Sequence, residues 1–159
     1  MKKVIIIIII LILFSITELN STVIIVPNLG IGNSHGGLGL KTLIGLDNEF
    51  ETGWIIGLGA NGGKFAYSIG FQYSISTFYF SANYGNVGTY TETEGGDVTK
   101  KEVITGYFFE IGKVFYFNQS KIFLDTGIGY SISDKFKFGE DDDYSSNGIA
   151  WDVGIGYKF

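Results

Sequence analysis

The chain carries a single histidine, and its neighbours make it the first place to look for chemistry. Ser34 and His35 are adjacent in "GIGNSHGG", and Asp47 follows in "GLDNEF". Serine, histidine and aspartate are the parts of a hydrolytic or acyl-transfer triad, which works only as one hydrogen-bonded chain. Counting strands sets Asp47 in the turn opposite to that of Ser34 and His35, so the pattern favours a solvated loop histidine. A second cluster, Glu140, Asp141, Asp142 and Asp143 in "GEDDDYSSNG", offers the hard oxygens that Ca²⁺ takes. It lacks the alternate spacing, central glycine and closing glutamate of a calcium loop, and reads as a self-repelling solvated loop. "GIGNSHGG", "GLGLKT" and "GNVG" look like phosphate-cradling loops, a reading that needs a strand–loop–helix context these residues do not have. No catalytic residue, cofactor or metal is expected.

A third group is spread along the chain: Lys41, Lys64, Glu110, Asp125, Asp152 and Lys158. What unites these residues is parity within alternating segments. In "IAWDVGIGYKF", Ile149, Trp151, Val153, Ile155, Tyr157 and Phe159 share one face, with Ala150, Asp152, Gly154, Gly156 and Lys158 on the other. A period of two is a β-strand with two unlike faces. In "KFAYSIGFQYSI", Phe65, Tyr67, Ile69, Phe71, Tyr73 and Ile75 oppose Lys64, Ala66, Ser68, Gly70, Gln72 and Ser74. "GGLGLKTLIGL", "GWIIGLGAN", "TFYFSANYG" and "KIFLDTGIGYSIS" repeat the scheme, with Ile55 as the exception. "GYFFEIGKVFYF" does so apart from Lys113, which calls for a bulge or a snorkelling side chain. "TVIIVPNLGIG" is apolar on both faces and holds the only proline, Pro27, which suits an edge or a strand start.

A face of glycine and serine is poor against water but fits a crowded concave interior, such as the inside of a barrel of about eight strands. The aromatic face then looks outward. On that reading the six charged residues form a polar ladder in the lumen, because buried charges must be paired.

The composition agrees. With 24 Gly, one Pro and 16% aromatic residues in 159, the chain has room for one domain made of many strands. A net charge of −5 argues against nucleic acid, and the lack of cysteine excludes disulfides and thiolate metal sites. Lys2 and Lys3 precede an apolar run from Val4 to Phe14. That run fits a secretory signal peptide and falls short of the roughly 20 residues of a spanning helix. The expected division is a signal peptide over residues 1–21 and a barrel domain over 22–159.

About eight strands emerge, and the links of the carboxy-terminal half alternate between short and long. "NQS" and Ser76–Thr77 are tight, whereas Gly85 to Glu102 and Asp134 to Asn147 are long. The long links carry Tyr90, Glu92, Glu94, Asp97, Lys100, Lys101, Asp141, Asp142, Asp143 and Tyr144, the candidates for a surface patch.

The basic and apolar leader, eight alternating strands and terminal "YKF" resemble small bacterial outer-membrane β-barrels. The nearest classes are the barrel of outer membrane protein A and the Ail-type and opacity-type surface proteins. The resemblance implies an all-β, up-and-down antiparallel transmembrane barrel. It also implies outer-membrane lipid and the barrel-assembly machinery as partners, with Tyr157 and Phe159 similar to the assembly signal. A host or surface ligand for the loops would follow. Such folds host adhesins, anchors, narrow pores and a few enzymes. The alternative is a soluble lipocalin-like barrel, which would line an apolar cavity with the aromatics and turn glycine and charge outward.

Overall fold

The computed structural model describes residues 23–45, 52–94, 97–118, 120–134, 136–138, 142–144 and 147–158. The alternating segments become β1 (Ile24–Gly32), β2 (Gly37–Gly45), β3 (Gly53–Asn61), β4 (Lys64–Ile75), β5 (Phe78–Glu94), β6 (Asp97–Tyr116) and β7 (Ile122–Ser133). Two short strands, β8 (Phe136–Phe138) and β9 (Asp142–Tyr144), precede β10 (Asn147–Tyr157). Every neighbouring pair is antiparallel, and β10 closes onto β1, so β1–β7 and β10 form a closed up-and-down barrel of eight strands.

Side-chain parity follows the sequence. Leu29, Leu38, Phe65, Ile128 and Ile149 point outward and are 62–72% exposed, while Lys41, Ser68, Glu110 and Asp152 point inward and are buried. Ile55, the odd residue of its segment, is buried in the lumen with Ile24, Val26, Leu43, Tyr79, Val114 and Phe123. These side chains form an apolar plug at the end where Ile75 pairs with Phe78 across the Ser76–Thr77 turn.

No bulge occurs at Lys113, which keeps its outward register opposite Phe78 and Thr126. Its ammonium stands 4.8 Å from the Phe78 ring centre and 4.9 Å from that of Phe115, so the charge rests on aromatic faces near the barrel end. Pro27 lies one residue before the β1–β10 ladder begins at Asn28–Gly156, where a missing N–H removes no bond to β10.

The two long links are structured, contrary to their reading as loops. Above Ser68–Gly85 and Gly106–Ser133, β5 and β6 pair only with each other among the described residues, up to Glu94–Asp97. They project from the barrel as a ribbon, with register shifts at Asn86/Gly88 and Glu92/Thr93. The second link folds in part as the β8–β9 hairpin, Phe136 opposite Tyr144.

Candidate functional site

The lumen is where the sequence places its charges together. Lys41 from β2 is ion-paired with Asp125 from β7, and both are buried. Asn28 of β1 donates from Nδ2 to the same Asp125 Oδ2 at 2.8 Å. The Asn28 Oδ1 lies 3.1 Å from His35 Nε2, and His35 Nδ1 donates to Asp152 Oδ1 at 2.8 Å. A continuous chain thus runs from β10 through the β1–β2 turn and β1 to β7 and β2. Glu110 of β6 faces Asp152 and accepts from Ser81 Oγ at 3.4 Å, and Asn83 Nδ2 donates to that serine at 2.8 Å. Lys41 also stands 5.4 Å from the centre of the Tyr79 ring. Three carboxylates therefore meet a lysine and a histidine in a buried space, and such pairing is what makes buried charge tolerable.

His35 is the main correction to the sequence reading. It is fully buried, not solvated, because the Asn33–Gly36 turn folds into the barrel mouth. Gly36 and Gly37 adopt positive φ angles of 69° and 96°, which glycine allows at no steric cost and which let the chain double back. The turn hangs on Asp152: the Ser34 N–H donates to its Oδ1 at 3.1 Å and to its Oδ2 at 3.2 Å. On the other side the Ser34 carbonyl accepts from Ser68 Oγ at 2.5 Å. Asn33, Asn61 and Asn86 close the mouth above it, through Asn33 Nδ2 to Asn86 O at 3.2 Å and Asn61 Nδ2 to Asn86 Oδ1 at 2.8 Å.

Serine, histidine and aspartate do meet, with Asp152 in the role considered for Asp47, which lies outside the described residues. They do not form a nucleophile–base pair. His35 Nε2 is turned to Asn28, Ser34 Oγ has no hydrogen-bond partner among the described residues, and all three are fully buried. A substrate has no approach to them.

The glycines explain how such large groups fit. The His35 ring sits between Gly30 and Gly154, where added Cβ atoms would lie 2.6 and 2.7 Å from Nε2. Tyr79 occupies the equivalent space over Gly112 and Gly127, and Phe123 that over Gly156. The small face of one strand is the socket for a large side chain from another.

Of the six ladder candidates, Lys41, Glu110, Asp125 and Asp152 come together. Lys64 is exposed at the ribbon end, and Lys158 lies half-buried beyond β10, its N–H donating to Lys121 O at 2.8 Å. Tyr157 is on the outer face at the end of β10, while Phe159 is outside the described residues. Tyr90, Glu92 and Glu94 are in β5 and Asp97 starts β6, so all four belong to the ribbon. Asp142, Asp143 and Tyr144 form β9; Asp141 and residues 1–21, read above as a signal peptide, are outside the described residues. Sequence reasoning missed Asn28, Ser34 and His35 as lumen residues, and it set Tyr79 on the small face of "TFYFSANYG" without a place in the ladder. The signal for the turn was present in the glycines on both sides of "NSH".

Together the fold and lumen define a closed eight-stranded antiparallel barrel with an apolar exterior and an interior filled by a polar network and an apolar plug. No protein-family model matches the chain, and no curated protein or solved structure matches it either.

Proposed function

We propose that this chain is an integral outer-membrane barrel without catalytic activity, serving as a rigid anchor for recognition elements at one end. The observation that carries the reading is the outer surface. Apolar and aromatic side chains, among them Leu29, Trp54, Phe71, Phe80, Phe109, Tyr130 and Trp151, stand exposed on every barrel strand, far beyond the patch size a soluble monomer tolerates. Hydrocarbon is the solvent that suits such a face, and a closed barrel leaves no unpaired edge within it. A lipocalin-like barrel calls for the opposite arrangement of faces. The lumen supports a plug over a pore, since Tyr79, Phe108 and the His35 turn occupy it.

In outer-membrane barrels short turns face the periplasm and long connections face outward. By that rule the ribbon and the β8–β9 hairpin are extracellular. The ribbon's two edges are unpaired backbone above the barrel among the described residues, a place where another chain's extended segment can add.

Fractionation tests the anchor. The protein should stay with membranes through alkaline and urea washes and leave only with detergent. It should also migrate differently on gels when unheated, because an intact barrel remains compact. Release into the soluble fraction without detergent would end the proposal.

A further inference from the structure

Lys64 and Lys101 belong to strands that are not ladder neighbours, since β5 runs between β4 and β6. A bulge bends and twists the strand that holds it, and the one at Asn86/Gly88 lies at the base of the ribbon. Above it, Lys100, Lys101, Glu102 and Val103 of β6 line one cleft with Lys64 and Phe65 of β4, about 500 Å³ in volume. Lys101 leans across the β3–β4 turn. Its Nζ is 3.1 Å from where a Cβ on Gly62 would stand, so the glycine there makes room for the ammonium.

The charges in this cleft are unbalanced. Lys100 pairs with Glu102 at 3.1 Å, and among the described residues neither Lys64 nor Lys101 has an ion-pair partner. Like charges drawn from separate strands into one cleft repel, and an anion relieves that repulsion. Beside them Phe65, at 72% exposure, is the most exposed large apolar side chain described, and its place on the outer face faces lipid if the barrel is in a membrane.

We infer that this cleft binds a phosphomonoester, with Lys64 and Lys101 on the phosphate, and that its natural source is a lipid headgroup whose chain lies against Phe65. The volume suits a headgroup of sugar-phosphate size. The lipid source rests on the membrane reading above; the phosphate site does not.

The test is an amide-resolved NMR titration of the full barrel refolded in phosphatidylcholine bicelles. One arm adds phosphatidic acid and the other inorganic phosphate. Gly62, Gly63, Lys64 and Lys101 should shift saturably with phosphatidic acid, and K64Q/K101Q should weaken the apparent affinity about tenfold. K113Q, which removes a lysine at the far end of the barrel, should leave it unchanged. Inorganic phosphate binding as tightly as the lipid would support the phosphate site and assign it to a soluble ligand. Flat titrations in both arms, or shifts that survive K64Q/K101Q, overturn the inference. Failure of the membrane reading would show separately, as a chain that does not enter bicelles at all.

Discussion

His35 donates to Asp152 at 2.8 Å across the seam where the first and last barrel strands meet. That seam is the shortest ladder in the barrel, with five register pairs from Asn28–Gly156 to Gly32–Asp152, against eleven between β6 and β7. Side chains do there what backbone pairing does elsewhere. Asp152 sits on β10 and holds the turn that ends β1, while Asn28 on β1 reaches Asp125 on β7, beyond β10.

Asp152→Asn keeps the shape and removes the charge that His35 and the Ser34 N–H share. Breaking one partner of a buried pair leaves the other uncompensated, so the loss should be about 3 kcal/mol. Urea unfolding of the refolded barrel in lipid measures it. His35→Gln should give a smaller loss, about 1–3 kcal/mol, and the double substitution should fall short of the sum because the residues are in contact. Strict additivity would mean that the two side chains act independently.

Gly112→Ala tests the socket arrangement. A Cβ there would run into the Tyr79 ring, whose hydroxyl also reaches Gly127. Overpacking of this kind costs about 1–3 kcal/mol. In a Tyr79→Leu background the same alanine should be nearly neutral, because the ring is gone. An equal loss in both backgrounds would show that Gly112 is required for its backbone rather than for space.

The faces of the barrel were legible in the sequence because parity is a local property. Tyr67 and Ser68 declare opposite sides whatever their neighbours are. Register was less legible, yet the outward identity of Lys113 could be read once no bulge interrupted Tyr107 to Phe117. The lumen was only half legible. Lys41, Glu110, Asp125 and Asp152 announce themselves as charges on a small face, but Lys64 and Lys158 share that parity and lie at the ends. Period two tells inside from outside and says nothing of height along the axis. His35 was misjudged for a different reason. A four-residue polar turn between strands is ordinarily on the surface, and only its acceptor on β10, 117 residues away, draws it inward. The ribbon was misread because Gly and Glu in "GNVGTYTETEGG" interrupt the strand signals of its Thr and Tyr residues. Pairing with β6 supplies what propensity lacks.

Arginine at outward positions probes the solvent of the belt. Ile69 pairs with Ile56 and Tyr84, well inside the apolar surface of β3, β4 and β5. In lipid, Ile69→Arg should cost roughly 2–4 kcal/mol if the position is near midplane. The loss should shrink toward the barrel ends, for example at Phe65, giving a depth profile. Ser68→Arg, on the inner face, should instead prevent folding in lipid and detergent alike, because Ser68 is buried against the Ser34 carbonyl. A harmless Ile69→Arg would contradict the lipid-facing assignment of this face.

The proposed orientation rests on the unequal ends. At one end the visible connections are tight, as at Ser76–Thr77, where Ser76 takes a φ of 58° to reverse the chain. At the other end stand the ribbon, paired out to Glu94–Asp97, and the link from Asp134 to Asn147 that holds the β8–β9 hairpin. If the ribbon end faces outward, a lysine-specific protease added to intact cells should cut at Lys100 or Lys101, where the chain has left the barrel, or at Lys137 between Asp134 and Asn147. Lys41 should be spared, being buried in the lumen. Lys113 and Lys121, at the tight-turn end, should be cut only after the membrane is breached. The fragments can be sized by mass spectrometry, since each site yields a distinct pair. Cleavage at Lys121 on intact cells, with Lys100, Lys101 and Lys137 untouched, would reverse the orientation and place the ribbon inside.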